Sequence, residues 1–279
     1  MNVFFNNLKT VLFLGILTGL VVAVGGLLGK QFILPFLIIS ILMNFGIWFF
    51  SDTIAIKSMQ GREVTSQSGP DLYRLVEELS QNAGLPMPRI YVCPQQSPNA
   101  FATGRSPSHS AVAVTEGALK LLNYQELRGV LAHELAHIKN RDTLISTVAA
   151  VVAGVLASIA QWGFLLGGNR ENSNPLIALV VTIVAALGAA MLRSAISRSR
   201  EFVADADGAR IAGNPDGLIS ALEKLEVVGK QVPLNTPNPA MNNMFIIEPF
   251  AGKQMLNLFA THPPTEARVA ALEALRHSI

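Results

Sequence analysis

The stretch Leu131-Ala-His-Glu-Leu-Ala-His-Ile138 sets His133 and His137 four residues apart, with Glu134 beside the first. A helix turns once in ~3.6 residues, so these two side chains share a face and their imidazoles can grip one zinc ion. Glu134 stands where a general base belongs. A bound zinc ion brings the pKa of a water toward ~7, and a neighbouring carboxylate then takes its proton, which is the peptide-hydrolysing chemistry of a metalloprotease. The competing reading is an ordinary amphipathic helix with surface histidines, because short motifs recur by chance. Context weighs against it. Leu127, Val130, Leu131, Leu135 and Ile138 fall at helical spacing between Gln125 and Asn140, with no Pro or internal break. Two of the chain's 5 histidines lie in the motif.

A site of this kind takes a third protein donor and keeps a further position open. The segment Ser197-Arg-Ser-Arg-Glu-Phe-Val-Ala-Asp-Ala-Asp207 offers one. Glu201 and Asp205 lie one helical turn apart, so one carboxylate can bind the ion while the other accepts a hydrogen bond from a ligand imidazole and fixes its tautomer. Asp207 falls off that face. Without the upstream motif, the same segment reads as a solvated charged turn at a membrane edge, anchored by Arg198 and Arg200.

The elements that must position these residues include membrane spans. Hydrophobic residues make up 50% of the 279 and charged ones 14%. Long uncharged stretches run over 10–29, 31–51, 143–169 and 172–192. About 20 apolar residues in a helix cross the ~30 Å hydrocarbon layer, so each is long enough to span. The first is too long for the apolar core of a cleaved signal peptide, about 7–15 residues, and a second span follows at once, so a two-helix hairpin fits better. Lys9, Lys57, Arg62, Lys139, Arg141, Arg193, Arg198 and Arg200 flank the spans on one side, and Lys30 and Arg170 sit in the hairpin turns on the other. Positive flanks stay in the cytoplasm, which places both termini and the motif there. The net charge of +2 reflects these anchors and gives no reason to expect nucleic acid as a partner. The spans carry no Asp, Glu, Lys, Arg or His of the kind that marks an ion path, which argues against a transporter.

Between the second and third spans, Pro70 to Ala83 has the apolar periodicity of a helix ended by Gly84 and Pro86. Arg89–Cys93 and Ser110–Thr115 read as short strands of a small mixed sheet ahead of the motif helix. The lone Cys93 forms no intrachain disulfide and reads as a strand-packing residue. Nothing in Asn140-Arg-Asp142 resembles a stop, so the motif helix is expected to run on into the third span. Further helices are expected over 193–212, 216–228 and 265–277. The Pro-, Asn- and Met-rich stretch 231–252 reads either as a lid over a substrate cleft or as a plain surface loop.

These features together resemble the HtpX family of membrane-bound zinc proteases, related to the CAAX prenyl endopeptidases. The resemblance spans nearly the whole chain. It rests on four spans, the His-Glu-Leu-Ala-His motif leading into the third, the Ser-Arg-x-x-Glu-Phe-x-Ala-Asp pattern after the fourth, Pro98-Asn-Ala-Phe-Ala-Thr-Gly104, and Thr261-His-Pro-Pro-Thr-Glu-Ala-Arg268. It implies a mainly α membrane protein: four transmembrane helices with a cytoplasmic α+β zincin-like domain. The divisions would be 1–51 and 143–193 as transmembrane hairpins, and 52–142 and 194–279 as the two parts of the protease domain. It implies one zinc ion on His133, His137 and Glu201, with Glu134 as base and Asp205 orienting a ligand histidine. It further implies that Asn99 and Ala100 pair with substrate backbone and that His262 with Arg268 stabilises the oxyanion. Without it, Asn99 is a turn residue after Pro98 and His262 a helix-start residue.

The expected activity is that of a zinc endopeptidase in the bacterial cytoplasmic membrane. Its expected partners are the lipid bilayer and polypeptides, chiefly damaged or misassembled membrane proteins cut at cytoplasmic sites. Maturation of a lipidated substrate is an alternative with the same chemistry. A membrane chaperone with structural zinc is an alternative of another class, against which the presence of Glu134 argues.

Overall fold

Three of the four strands of the small sheet bury apolar residues on both faces, and the two faces go to different neighbours. The computed structural model describes residues 2–153, 156, 183, 198–229 and 263–276. Helices α1 (Asn2–Leu28) and α2 (Ile33–Ser58) form a hairpin turned by the short 3-10 segment Lys30–Phe32. Asn44 on α2 donates to Leu14 O at 2.9 Å and to Thr18 Oγ1 at 2.7 Å, stitching the pair where apolar contacts give no direction. Among the described residues, the 29-residue stretch Lys30–Ser58 is the one helix long and apolar enough to cross a membrane, and Asn7–Ala23 and Thr143–Ala153 are shorter apolar helices. The expected third and fourth spans fall largely outside the described residues.

Strands β1 (Arg62–Val64), β2 (Arg89–Cys93), β3 (Ala100–Ser106) and β4 (His109–Thr115) form one mixed sheet in the order β1-β2-β4-β3, with β2 and β4 parallel. Helix α3 (Pro70–Ala83) precedes β2, starting on Pro70 and ending at Gly84 in the left-handed region. Ile90, Ala100, Ala102, Val112 and Val114 point to one side and join the core of the soluble helices. Tyr91, Cys93, Phe101, Ala111 and Ala113 point to the other and pack with Ile47, Ala55 and Ile56 of α2 and with the apolar helix α6 (Thr143–Ala153). Strand alternation therefore joins the metal-site helices to the apolar helices α2 and α6 through the sheet. Cys93 is buried in this second core, and its burial pushes the thiol up to about 12, as a packing residue requires.

After α4 (Glu116–Leu121), the motif helix α5 (Tyr124–Lys139) begins on a reciprocal cap: Asn123 Oδ1 accepts from the Glu126 N–H, and Glu126 Oε2 from the Asn123 N–H. The expected run-on into the third span does not occur. The helix stops at Asn140, Arg141 takes the left-handed conformation at φ 56°, and a new helix starts at Thr143. The Arg141 N–H donates to Ile138 O at 3.1 Å and the Asp142 N–H to His137 O at 3.0 Å, a Schellman ending with arginine where glycine is usual. That backbone costs a side-chain-bearing residue roughly 1–2 kcal/mol, so sequence inspection for Gly or Pro misses it. Helices α7 (Arg198–Ala212) and α8 (Asp216–Gly229) pack against α5, and α9 (Thr265–Leu275) packs against α7 and α8. Between Val130 and Ile138 every residue of α5 except His137 is buried.

Candidate metal centre

Helical spacing does for α5 what the sequence requires: His133 Nε2 and His137 Nε2 converge to 3.1 Å. Helix α7 brings Glu201 against them, Oε2 3.7 Å from His133 Nε2 and Oε1 3.6 Å from His137 Nε2. One donor atom from each of the three residues lies within 4.8 Å of the other two. The approach depends on a glycine, since a Cβ on Gly208 of α7 would stand 2.8 Å from His133 Cα. Two imidazole nitrogens and one carboxylate oxygen, held inside a packed core, are a donor set that fits a divalent metal ion with a position left open.

Asp205 lies one turn beyond Glu201, and its Oδ1 is 2.9 Å from His133 Nδ1. That nitrogen has no aligned hydrogen bond, so a small rotation of either group completes one. Arg268, on α9, is 1% exposed; its Nε and one terminal nitrogen donate to the two Asp205 oxygens at 2.8 and 2.6 Å. The structure thus places Arg268 behind Asp205 and not in an open cleft, with its other terminal nitrogen 4.0 Å from Glu201 Oε2. His262 lies outside the described residues, as does the stretch 231–252. Asp207 points away from the centre, bonded to Asn140 at 3.0 Å and Arg210 at 3.1 Å.

Asn99 and Ala100 stand at the start of β3, an edge strand of the described sheet. Both are buried, at 4% and 0% exposure, and the Ala100 N–H donates to Asn99 Oδ1 at 2.9 Å. Two residues on, the Ala102 backbone interacts with the Glu134 carboxylate and opposes the rise of its pKa, and Gly104 O accepts from Thr143 Oγ1 at 3.0 Å. The edge of β3 therefore runs alongside α5, with the Asn99 side chain on its Ala100 N–H and the Thr143 hydroxyl on its Gly104 carbonyl.

Burial pushes the Glu134 carboxyl up to about 8; His137 opposes the rise and Glu201 adds to it. Burial alone would lower His137, yet the charge of Glu201 and the contact with Asp142 outweigh it and hold the ring up to about 9. His133 goes the other way, to about 4, because burial prevails over Asp205. A buried carboxyl beside two converging imidazoles is placed to accept and return a proton.

Residues 66–276 match the model of peptidase family M48. The chain belongs to this family. It is therefore a metallopeptidase, with a metal as its cofactor and polypeptides as its substrates. It is 49% identical over 276 residues to a protein of Desulforapulum autotrophicum described as Protease HtpX homolog, covering 96% of this chain and 89% of that one. A protein of the same description from Pyrococcus furiosus is 46% identical over 275 residues, covering 96% and 95%. The crystal structure of S. mikatae Ste24p superposes with a TM-score of 0.51 at 18% identity, over 97% of this chain and 66% of that one, and shares the fold. In this M48 chain, sequence inspection passed over Gly208 and Asp142. A glycine one turn past Asp205 was the available signal for the first; the second had none.

Proposed function

We propose that the chain is a membrane-integrated zinc endopeptidase that cuts polypeptides, chiefly damaged or misassembled membrane proteins, at their cytoplasmic parts. The observation that carries this reading is the convergence of His133, His137 and Glu201 with Glu134 buried on the same helix. The His2Glu donor set suits zinc, which when bound acts as a Lewis acid toward a carbonyl and makes water a nucleophile near neutral pH. The chain's own residues do the rest. Glu134 accepts a proton as attack begins and returns it to the leaving amine, a role that its place on the donor helix supports. Asp205, clamped by Arg268, keeps His133 in the tautomer whose Nε2 faces the metal. The edge of β3 offers main-chain groups to an extended substrate once Asn99 releases the Ala100 N–H, a mode that reads little sequence and suits misfolded chains. The relatives described as Protease HtpX homolog support this reading. The apolar face of α2, with Leu34, Leu42, Phe45 and Phe50 exposed, supports a site at the bilayer surface.

The test is cleavage of an unfolded protein by the full-length chain, purified in detergent without metal and then loaded with zinc. Glu134→Gln is expected to abolish fragments while the protein stays folded and binds one equivalent of zinc, because it removes a base and no donor. His137→Ala and Glu201→Ala are expected to lose the metal. Full activity in Glu134→Gln would overturn the mechanism.

A further inference from the structure

A carboxylate that the motif reading does not assign sits beside the second histidine. His137 directs Nε2 at His133, and its other ring nitrogen, Nδ1, lies 3.5 Å from Asp142 Oδ2. Asp142 is buried, and its Oδ1 accepts from an Arg200 terminal nitrogen at 3.1 Å. The surroundings of His133 have the same form, with Asp205 behind Nδ1 and Arg268 behind Asp205. Each imidazole has a carboxylate at its far nitrogen, and each carboxylate an arginine.

Helical spacing alone would not produce this. Asp142 is five residues past His137, so a continued helix would carry it about 140° around the axis. The left-handed Arg141 instead folds the chain back until the Asp142 N–H bonds the His137 carbonyl at 3.0 Å, which sets the carboxylate beside the ring of the same residue. Arg200 immediately precedes Glu201, so α7 supplies a metal donor and this brace from consecutive positions.

We propose that Asp142, held by Arg200, is a positioning residue for His137: it accepts the Nδ1 hydrogen and so fixes the tautomer whose Nε2 serves the metal. The proposal rests on the metallopeptidase reading. Asp142 also stands just ahead of α6, and a purely structural role would be to cap that helix. Serine separates the two roles, because its hydroxyl caps a helix but is too short to reach the ring.

The experiment uses the full-length chain in detergent. Zn2+ affinity is measured by competition with a chromophoric chelator, the Co2+ form is read by its visible spectrum, and the metal-free form by its thermal midpoint. Asp142→Ala and Asp142→Ser are expected to weaken Zn2+ binding about 10- to 100-fold and to shift the Co2+ bands, with the midpoint of Asp142→Ser unchanged. Asp142→Asn, whose amide oxygen still accepts, is expected to recover most of the affinity and the wild-type spectrum. If Asp142→Ala fails to fold, Ser and Asn carry the comparison. Wild-type affinity and spectrum in Asp142→Ser would overturn the proposal, as would an Asn variant no better than Ser. Wild-type protein that binds neither ion would overturn the metallopeptidase reading itself.

Discussion

Arg268 carries a full charge where water does not reach, and this is tolerable because Asp205 meets it with both oxygens. Removing one partner strands the other. Arg268→Met is therefore expected to cost roughly 3–5 kcal/mol in denaturant titrations. An Asp205→Leu/Arg268→Met double variant should lose less stability than either single change, yet still bind zinc weakly because His133 has lost its brace. Equal stability of wild type and Arg268→Met would show that the pair contributes nothing to the fold. The residues of this centre differ in how far the sequence reveals them. His133 and His137 share a helical face by their numbering, as do Glu201 and Asp205. The bond between Asp205 and Arg268 joins positions 63 apart, and no local pattern announces it. Asp142 is hidden for the opposite reason: its spacing points it away from His137, and only the backbone turn at Arg141 brings it back.

At the scale of elements, α5 must be fixed at its start so that its histidines meet α7 in register. Glu126 does this. It is buried near the N-terminus of α5, closes the reciprocal cap with Asn123, and accepts from Ser220 at 2.6 Å and Lys224 at 2.9 Å on α8. Burial pushes its carboxyl up, but the bonds from Lys224, Ser220 and the Asn123 N–H outweigh this and hold it below the ordinary carboxylate value. A depressed folded-state pKa means that the stabilisation is complete above the unfolded value of about 4.3 and fades as pH falls through the folded one. Glu126→Gln is accordingly expected to lower stability by roughly 1–3 kcal/mol at pH 7 and by much less near pH 3, read from denaturant midpoints at the two pH values. A gap that does not narrow in acid would mean that the charge is not what matters. The cap, spelled Asn-x-x-Glu ahead of an apolar run, was passed over in the sequence, whereas helices α3 and α8 lie where periodicity puts them. The end of α5 was not open to inspection, because an arginine occupies the place where glycine would have marked the stop.

At the scale of the whole molecule, the sheet packs its one face on the apolar helices α1, α2 and α6 and its other on the helices that carry the candidate metal donors, so the two parts share the sheet between them. The orientation of the α1–α2 hairpin in a bilayer would then set the side on which the metal centre lies. On the sequence reading, 8 span-flanking cations are expected on the side of the motif and 2, Lys30 and Arg170, in the turns between spans. An excess of Lys and Arg holds flanks in the cytoplasm, so the turn at Lys30 should lie outside and the metal centre inside. Both probe positions are exposed: Gln31 in the hairpin turn and Ser68 in the loop before α3. Single cysteines are placed there in a Cys93→Ala background. Gln31→Cys is expected to react with a membrane-impermeant thiol reagent in intact cells, and Ser68→Cys only after lysis. The reverse pattern would put the metal centre outside the cytoplasm. The substrates would then have to be sought among chains exposed on the outer side, although the donor set and its braces would stand as described.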